Sequence, residues 1–209
     1  MATAPRGHAV TDTAPVDDKP SVQLETRAAW REWLAANHAS SPGVWLVTWK
    51  RRTGRPTFAY EEAVEEALCF GWIDGQLAPG EAELTRQWFA PRRPKSTWAR
   101  SNKERVARLE AAGMMTAAGR AAVGRAQANG SWNALDDIDS LVMPPDLEAA
   151  LAGNPGARDR WDGYSPSSRR MALAWVTQVK RPDLRARRVE RVADAAATGK
   201  RISDIFRRD

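Results

Sequence analysis

Two short blocks of this chain hold most of its chemically capable side chains. The first is Cys69-Phe70-Gly71-Trp72-Ile73-Asp74-Gly75. The second runs from Trp88 through Pro91-Arg92-Arg93-Pro94-Lys95-Ser96-Thr97 to Trp98 and is closed by Asn102. A thiol, a carboxylate, paired guanidiniums, an ammonium, hydroxyls and indoles at this density mark a candidate site. Asp74, between two turns, has the chemistry of a general base, an arginine partner or a turn cap. Arg92 and Arg93 after a proline suit bidentate grip on a carboxylate or phosphate, or a salt bridge back to Asp74. Trp72, Trp88 and Trp98 are large flat surfaces, suited to lining a pocket for an apolar ligand or to plugging a core. Ser96 and Asn102 add hydrogen-bonding groups, and Ser96 also reads as a helix cap.

Cys69 is a weaker candidate. It precedes a helix-ending glycine, where the helix dipole raises a thiol pKa, and His38 is the one histidine at hand as a base. A small buried apolar residue is the better reading. With one cysteine and two histidines in the chain, no disulfide and no structural zinc site is expected. There is no G-x-S-x-G elbow, phosphate-binding loop or dinucleotide glycine fingerprint, so no cofactor is expected.

The elements that position these groups follow from periodicity. Residues 1–20 carry Pro5, Pro15 and Pro20 without an apolar period and are expected to be disordered. A helix is expected over Leu24–Ala36, with Ala28, Trp30, Trp33 and Leu34 inward, and a strand over Val44–Lys50. Tyr60, Ala63, Val64, Ala67, Leu68 and Gly71 mark the buried face of a helix, with Glu61, Glu62, Glu65 and Glu66 as its solvated face. Gln76–Ala78 and Thr85–Ala90 read as short strands around a loop at Pro79-Gly80. Ser101 with Glu104 suggests a capping box for the next helix, and Thr116 caps another. Asp136–Pro145 reads as a loop, followed by a short helix over Asp146–Leu151. Ser165-Pro166 opens a helix that turns Trp175 inward, and Arg181-Pro182 separates it from a last one stopped by Gly199.

These elements imply an α+β fold: a small antiparallel sheet packed by helices, followed by a helical C-terminal region. The expected boundaries are a disordered segment at 1–20, the α+β core with both motifs at 21–135, and the helical region at 136–209. The hydrophobic fraction of 43% supports a real core. No apolar run is long enough for a signal or membrane segment, so a cytoplasmic location is expected, with no membrane partner. The net charge is +6, and Ser165–Asp209 holds 12 basic against 5 acidic residues. A stripe of Arg181, Arg185, Arg188 and Arg191 there reads as a solvated helix face, or as a surface for nucleic acid or an acidic protein.

Several runs resemble the YdeI/OmpD-associated family, also labelled bacteriocin-protection proteins. They are Trp30-x-x-Trp33-Leu34, Gly43-Val44-Trp45-Leu46, and Tyr60-x-x-Ala63-Val64-x-x-Ala67 leading into the Cys69–Gly75 motif. Phe89-x-Pro91-Arg92-Arg93-x-x-Ser96-x-Trp98-x-x-Asn102 and Gly113-Met114-x-x-x-Gly119 extend the likeness. Trp161-x-Gly163-Tyr164-Ser165-Pro166 and Lys180-Arg181-Pro182-x-x-Arg185 are similar to its C-terminal helical region. The resemblance spans about residues 24–200, with departures at Val179 and Leu184. It implies a bacterial, cytoplasmic role in stress or antimicrobial tolerance, and it supplies no reaction. The leading expectation is a small-molecule-binding protein acting by sequestration. Its site would be Trp72, Asp74, Trp88, Arg92, Arg93, Ser96, Trp98 and Asn102. The alternatives are a hydrolase with Asp74 as base and Arg92/Arg93 stabilising an anion, and a nucleic-acid-binding module on the C-terminal arginines.

Overall fold

The computed structural model describes residues 19–78 and 81–206. The expected disorder of the N-terminal segment and the Pro79-Gly80 turn lie outside the described residues, save for Lys19 and Pro20. The chain forms two compact units. The first takes the described residues up to Arg93 together with Arg108–Ala122, and the second takes Pro94–Ala107 and the described residues from Val123 to Phe206. Pro94–Ala107 and Val123–Leu135 thus group with the C-terminal helices.

In the first unit, β1 (Ser21–Gln23), β2 (Val44–Trp49), β3 (Trp72–Leu77) and β4 (Leu84–Pro91) form one sheet in the order β1-β2-β4-β3. The α+β class holds, but the sheet is mixed. β1 runs parallel to β2, pairing Val22 with Leu46. Three residues are too few to carry a period, which is why this strand does not stand out in the sequence. β2–β4 and β4–β3 are antiparallel, with Trp45 opposite Trp88 and Asp74 opposite Phe89.

Helices α1 (Arg27–Asn37) and α2 (Tyr60–Cys69) pack together against the sheet. Thr26 caps α1 by accepting the Ala29 amide at 3.1 Å. Trp30 and Leu34 are fully buried at 0% exposure. The Trp30 indole lies 5.3 Å from Phe89 and donates to the Ala63 carbonyl at 3.0 Å, so its polar end is satisfied inside the core.

The acidic face of α2 is not uniformly solvated. Glu66 is 1% exposed and accepts from Arg27 Nε and Arg31 NH1, each at 2.6 Å. Arg31 also donates to the Met114 carbonyl at 2.9 Å. The fourth glutamate faces α1, whose arginines at i and i+4 come to meet it. A helical period separates apolar from polar positions but does not reveal a polar residue buried by an ion pair.

The Cys69–Gly75 motif is largely a device for chain reversal. Gly71 has φ of +75°, which ends α2. A Cβ there would lie 2.9 Å from the Ala122 methyl. Helix α4 (Ala117–Ala128) approaches at this point. Its cap, Thr116, donates to the Cys69 carbonyl at 2.6 Å and accepts the Gly119 amide at 3.4 Å. Gly75 lies under the Trp88 indole, and a Cβ on it would sit 3.0 Å from that ring.

In the second unit, the helices of residues 94–107 and 123–206 gather around two aromatic centres. Helix α3 (Arg100–Ala111) begins four residues after Ser96, and Ser101 falls inside its first turn, so neither serine occupies the cap position that the sequence pattern suggests. Trp98 is 2% exposed and lies 4.9 Å from Trp132. The loop expected before Pro145 contains α5 (Asp136–Asp139), and α6 (Pro145–Ala152), α7 (Ala157–Asp162), α8 (Pro166–Thr177) and α9 (Pro182–Thr198) follow. Leu147, Leu151, Trp161, Leu173, Val176 and Val192 form the core between them. Ser165 caps α8 by accepting the Ser168 amide at 3.2 Å, and Gly199 ends α9 with φ of +68°. Among the described residues, no helix is long and apolar enough to cross a membrane.

Candidate functional site

A cleft with a volume of about 500 Å³ lies in the first unit, on the helix-covered face of the sheet. Leu46 and Thr48 of β2 and Thr85, Gln87 and Phe89 of β4 form its floor. Strand alternation puts these five on one face, because Leu46 pairs with Gln87 and Thr48 with Thr85. Trp49, Phe58 and Tyr60 supply aromatic walls, Ala59 and Ala63 the back, and Leu77, Lys50 and Arg51 the mouth. This volume suits a ligand of ordinary metabolite or drug size, and an apolar lining with a few hydroxyl and amide groups is the usual composition of such sites.

Asp74 stands beside this cleft. It shares the face of Phe89, its cross-strand partner, and accepts a 2.5 Å hydrogen bond from the phenol of Tyr60. Arg92 follows β4, is 9% exposed, and donates its amide to the Gly71 carbonyl at 3.0 Å. Burial lowers its guanidinium pKa to about 10, against the pull of the Asp74 charge.

The other expected site residues are dispersed. None of the eight lines the cleft. Trp72 is 1% exposed, donates to the His38 carbonyl at 3.1 Å and packs edge-on to Trp33 at 5.9 Å. Trp88 points to the opposite face of the sheet, T-shaped to Trp45 at 5.4 Å. Its ring also covers Gly43, where a Cβ would stand 2.2 Å away. Arg93 is exposed. Ser96, Trp98 and Asn102 belong to the second unit, where the Asn102 side-chain oxygen accepts from Arg105 at 2.8 Å. Cys69 is fully buried, and burial raises its thiol pKa against the pull of Arg31.

The cleft residues escape a sequence reading because Thr48, Thr85 and Gln87 are ordinary strand residues with no motif. Strand alternation around the register of β2 and β4 is the one signal that gathers them. Among the described residues, no cluster of three or more histidine, cysteine or acidic side chains could hold a metal ion.

The four C-terminal arginines are each tied down within their own unit. Arg185 forks onto Asp146 at 2.6 and 3.0 Å, and Arg181 onto Asp183 at 2.6 and 3.2 Å. Arg188 donates to the Trp175 carbonyl at 2.6 Å, and Arg191 to the Ile205 carbonyl at 2.6 Å. Arg188 and Arg191 also lie 4.8 and 5.3 Å from the Trp175 ring. They clamp helix ends and brace an aromatic pair of Trp175 and Phe206.

Comparison with known proteins divides the chain in two. Residues 22–122 match a domain of unknown function, DUF8412. Residues 140–199 match the family described as bacteriocin-protection, YdeI or OmpD-associated. No curated protein and no solved structure matches the chain significantly. The span of 24–200 over which the resemblance was read is therefore shared between two families. The Cys69–Gly75 motif falls in the first match, and the departures at Val179 and Leu184 fall in the second. The C-terminal helical region, over residues 140–199, is thus similar to the bacteriocin-protection, YdeI or OmpD-associated family.

Proposed function

We propose that this protein binds a small molecule in the cleft of its first unit and contributes to stress or antimicrobial tolerance by holding that molecule. The observation that carries the reading is the cleft itself. About 500 Å³ of space is walled by Trp49, Phe58, Tyr60 and Phe89 over a floor with Thr48, Thr85 and Gln87. Apolar walls drive a flat body out of water, and three polar side chains on one strand pair fix its orientation. The family of the C-terminal region supports the tolerance role, since its description names bacteriocin protection. A cytoplasmic location accords with this reading.

Trp49 lines the cleft and serves as the reporter. Its fluorescence, titrated with a panel of metabolites and antibiotics, is expected to change saturably with at least one compound class. Thr48→Trp fills the floor and should abolish that response. A response that survives Thr48→Trp would place binding elsewhere and refute the assignment.

A hydrolytic reading has one observation in its favour. The Tyr60 phenol and the Asp74 carboxylate are hydrogen-bonded at the cleft's edge, with the Arg92 charge behind them. A carboxylate so placed could take a proton from water attacking a bound ligand. Asp74→Asn then retains binding and loses turnover; unchanged turnover would eliminate this reading.

A further inference from the structure

The mouth of the cleft is strongly basic. Lys50, Arg51, Arg52 and Arg55 fall within six residues, and the next acid along the chain is Glu61. Lys50 is held by carbonyl oxygens, of Glu81 at 2.5 Å and Ala82 at 3.4 Å. Arg52 also donates to the Ala82 carbonyl. Carbonyls position a cation without cancelling its charge. Arg55 stacks 4.1 Å from the Trp49 ring, and that too leaves its charge in place.

Arg51 is exposed and lines the cleft, and its guanidinium has no hydrogen bond or ion pair among the described residues. The neighbouring acids do not balance this set. Glu81 pairs with Arg86 at 3.6 Å, and Glu25 accepts from the Trp49 indole at 3.4 Å. Glu83 is exposed on the facing loop, Asp74 at the cleft's edge accepts from the Tyr60 phenol and faces the Arg92 charge, and no carboxylate lines the cleft itself.

We infer that the ligand of this cleft is an organic anion with a flat apolar body. Its ring system lies against Trp49, Phe58 and Phe89, and its negative group meets Arg51 and Lys50 at the mouth. The inference rests on the cleft being the binding site, and it adds the charge of the ligand. A cation beside aromatic walls is less screened than one in open water, so a carboxylate or sulfonate there gains a charge-assisted hydrogen bond in addition to the apolar contact. A neutral ligand of the same shape would leave that cationic rim unused.

Two dyes of nearly the same ring structure test this: anilinonaphthalene sulfonate, an anion, and phenylnaphthylamine, which is neutral. Both are titrated into wild type, Thr48→Trp, Arg51→Gln and the Lys50→Gln/Arg51→Gln double variant. Wild type should bind both dyes, and Thr48→Trp should lose both. Arg51→Gln should weaken the sulfonate dye about 5-fold, and the double variant about 10-fold or more, with the neutral dye changed less than about 2-fold. Added salt should weaken the sulfonate dye alone. Retained neutral-dye binding in the variants shows that the fold and cleft are intact. Sulfonate affinity in the double variant within about 2-fold of wild type would overturn the anion inference while leaving the cleft reading standing. Equal loss of both dyes in Arg51→Gln would overturn it as well. Failure of both dyes to bind wild type would remove the cleft reading and this inference with it.

Discussion

Gly119 and Gly124 lie five residues apart in α4 and should respond to alanine in opposite directions. In an exposed helix interior, Gly→Ala stabilises by about 0.5–1 kcal/mol, because the unfolded chain loses freedom and the helix gains a better former. Gly124 is exposed, with nothing within 4 Å of an added Cβ, so Gly124→Ala should gain about that amount. At Gly119 the same atom would stand 2.3 Å from the Cys69 carbonyl oxygen, 2.8 Å from its carbon and 2.8 Å from the Met115 methyl. Met115 is able to swing aside, but a backbone carbonyl at the end of α2 is not. Relief needs a separation of roughly 1 Å between α4 and α2, an overpacking cost of about 1–3 kcal/mol. That shift also stretches the two bonds by which Thr116 holds the Cys69 carbonyl, at 2.6 Å from the hydroxyl and 3.1 Å from the amide. Each is worth about 0.5–1.5 kcal/mol. After subtracting the propensity gain, Gly119→Ala should cost about 1–5 kcal/mol. Urea unfolding followed by tryptophan fluorescence measures both variants, and the difference between them cancels most reference-state terms. Equal stabilisation by both alanines would refute the close approach of α4 to the end of α2.

Glu66→Gln should destabilise the first unit by about 2–4 kcal/mol, because two guanidiniums lose their shared carboxylate; their side-chain exposures of 30% and 36% keep the cost at the lower end for a buried pair. The variant's urea midpoint reads this, and a loss below 1 kcal/mol would mean that solvent already compensates the arginines. Cys69, buried and with its thiol pKa raised, should react with a thiol-specific disulfide reagent at pH 8 only on unfolding, so native labelling as fast as in urea would contradict its position. Asp146 has its carboxyl pKa lowered below 3.8, first by the hydrogen bond from Arg185. A depressed carboxylate contributes stability that is present above its unfolded pKa and is lost as pH falls through the folded value. Asp146→Asn should therefore show a shallower decline in stability than wild type below about pH 4, and parallel acid-unfolding curves would show that the pair contributes nothing.

The legible parts of this fold are those where one physical rule decides. The period of Tyr60, Ala63, Val64, Ala67 and Leu68 gives α2, and Gly71 ends it where the pattern stops. Ser165-Pro166 and Arg181-Pro182 give the starts of α8 and α9, and Thr116 the start of α4. Elements that owe their form to distant partners are not legible. β1 exists because β2 offers it an edge, and Glu66 is buried because α1 brings two arginines to it. For the site the order of legibility reverses. The conspicuous residues, Trp72, Gly75 and Trp88, are conspicuous because packing constrains them, and the cleft is floored by threonines and a glutamine that no motif announces. Asp74 is the one motif residue that reaches the cleft's edge, through Tyr60.

The cleft also has a local cause in the sequence of α2. One turn into the helix, Val64 and Leu68 fill the space over the sheet together with Trp30 and Phe89. At the start of the helix Ala63, and just before it Ala59, line the cleft instead. Apolar walls left facing a cleft forgo the dispersion contacts that a filled core would give them. A larger aliphatic side chain at Ala63 would cost no more than a few tenths of a kcal/mol in helix-forming tendency, so that tendency does not by itself keep the position small. The gap is therefore not forced by the fold. It opens where Ala59 and Ala63 line the cleft near the basic residues Lys50 and Arg51, and the ligand proposed above would account for both features together.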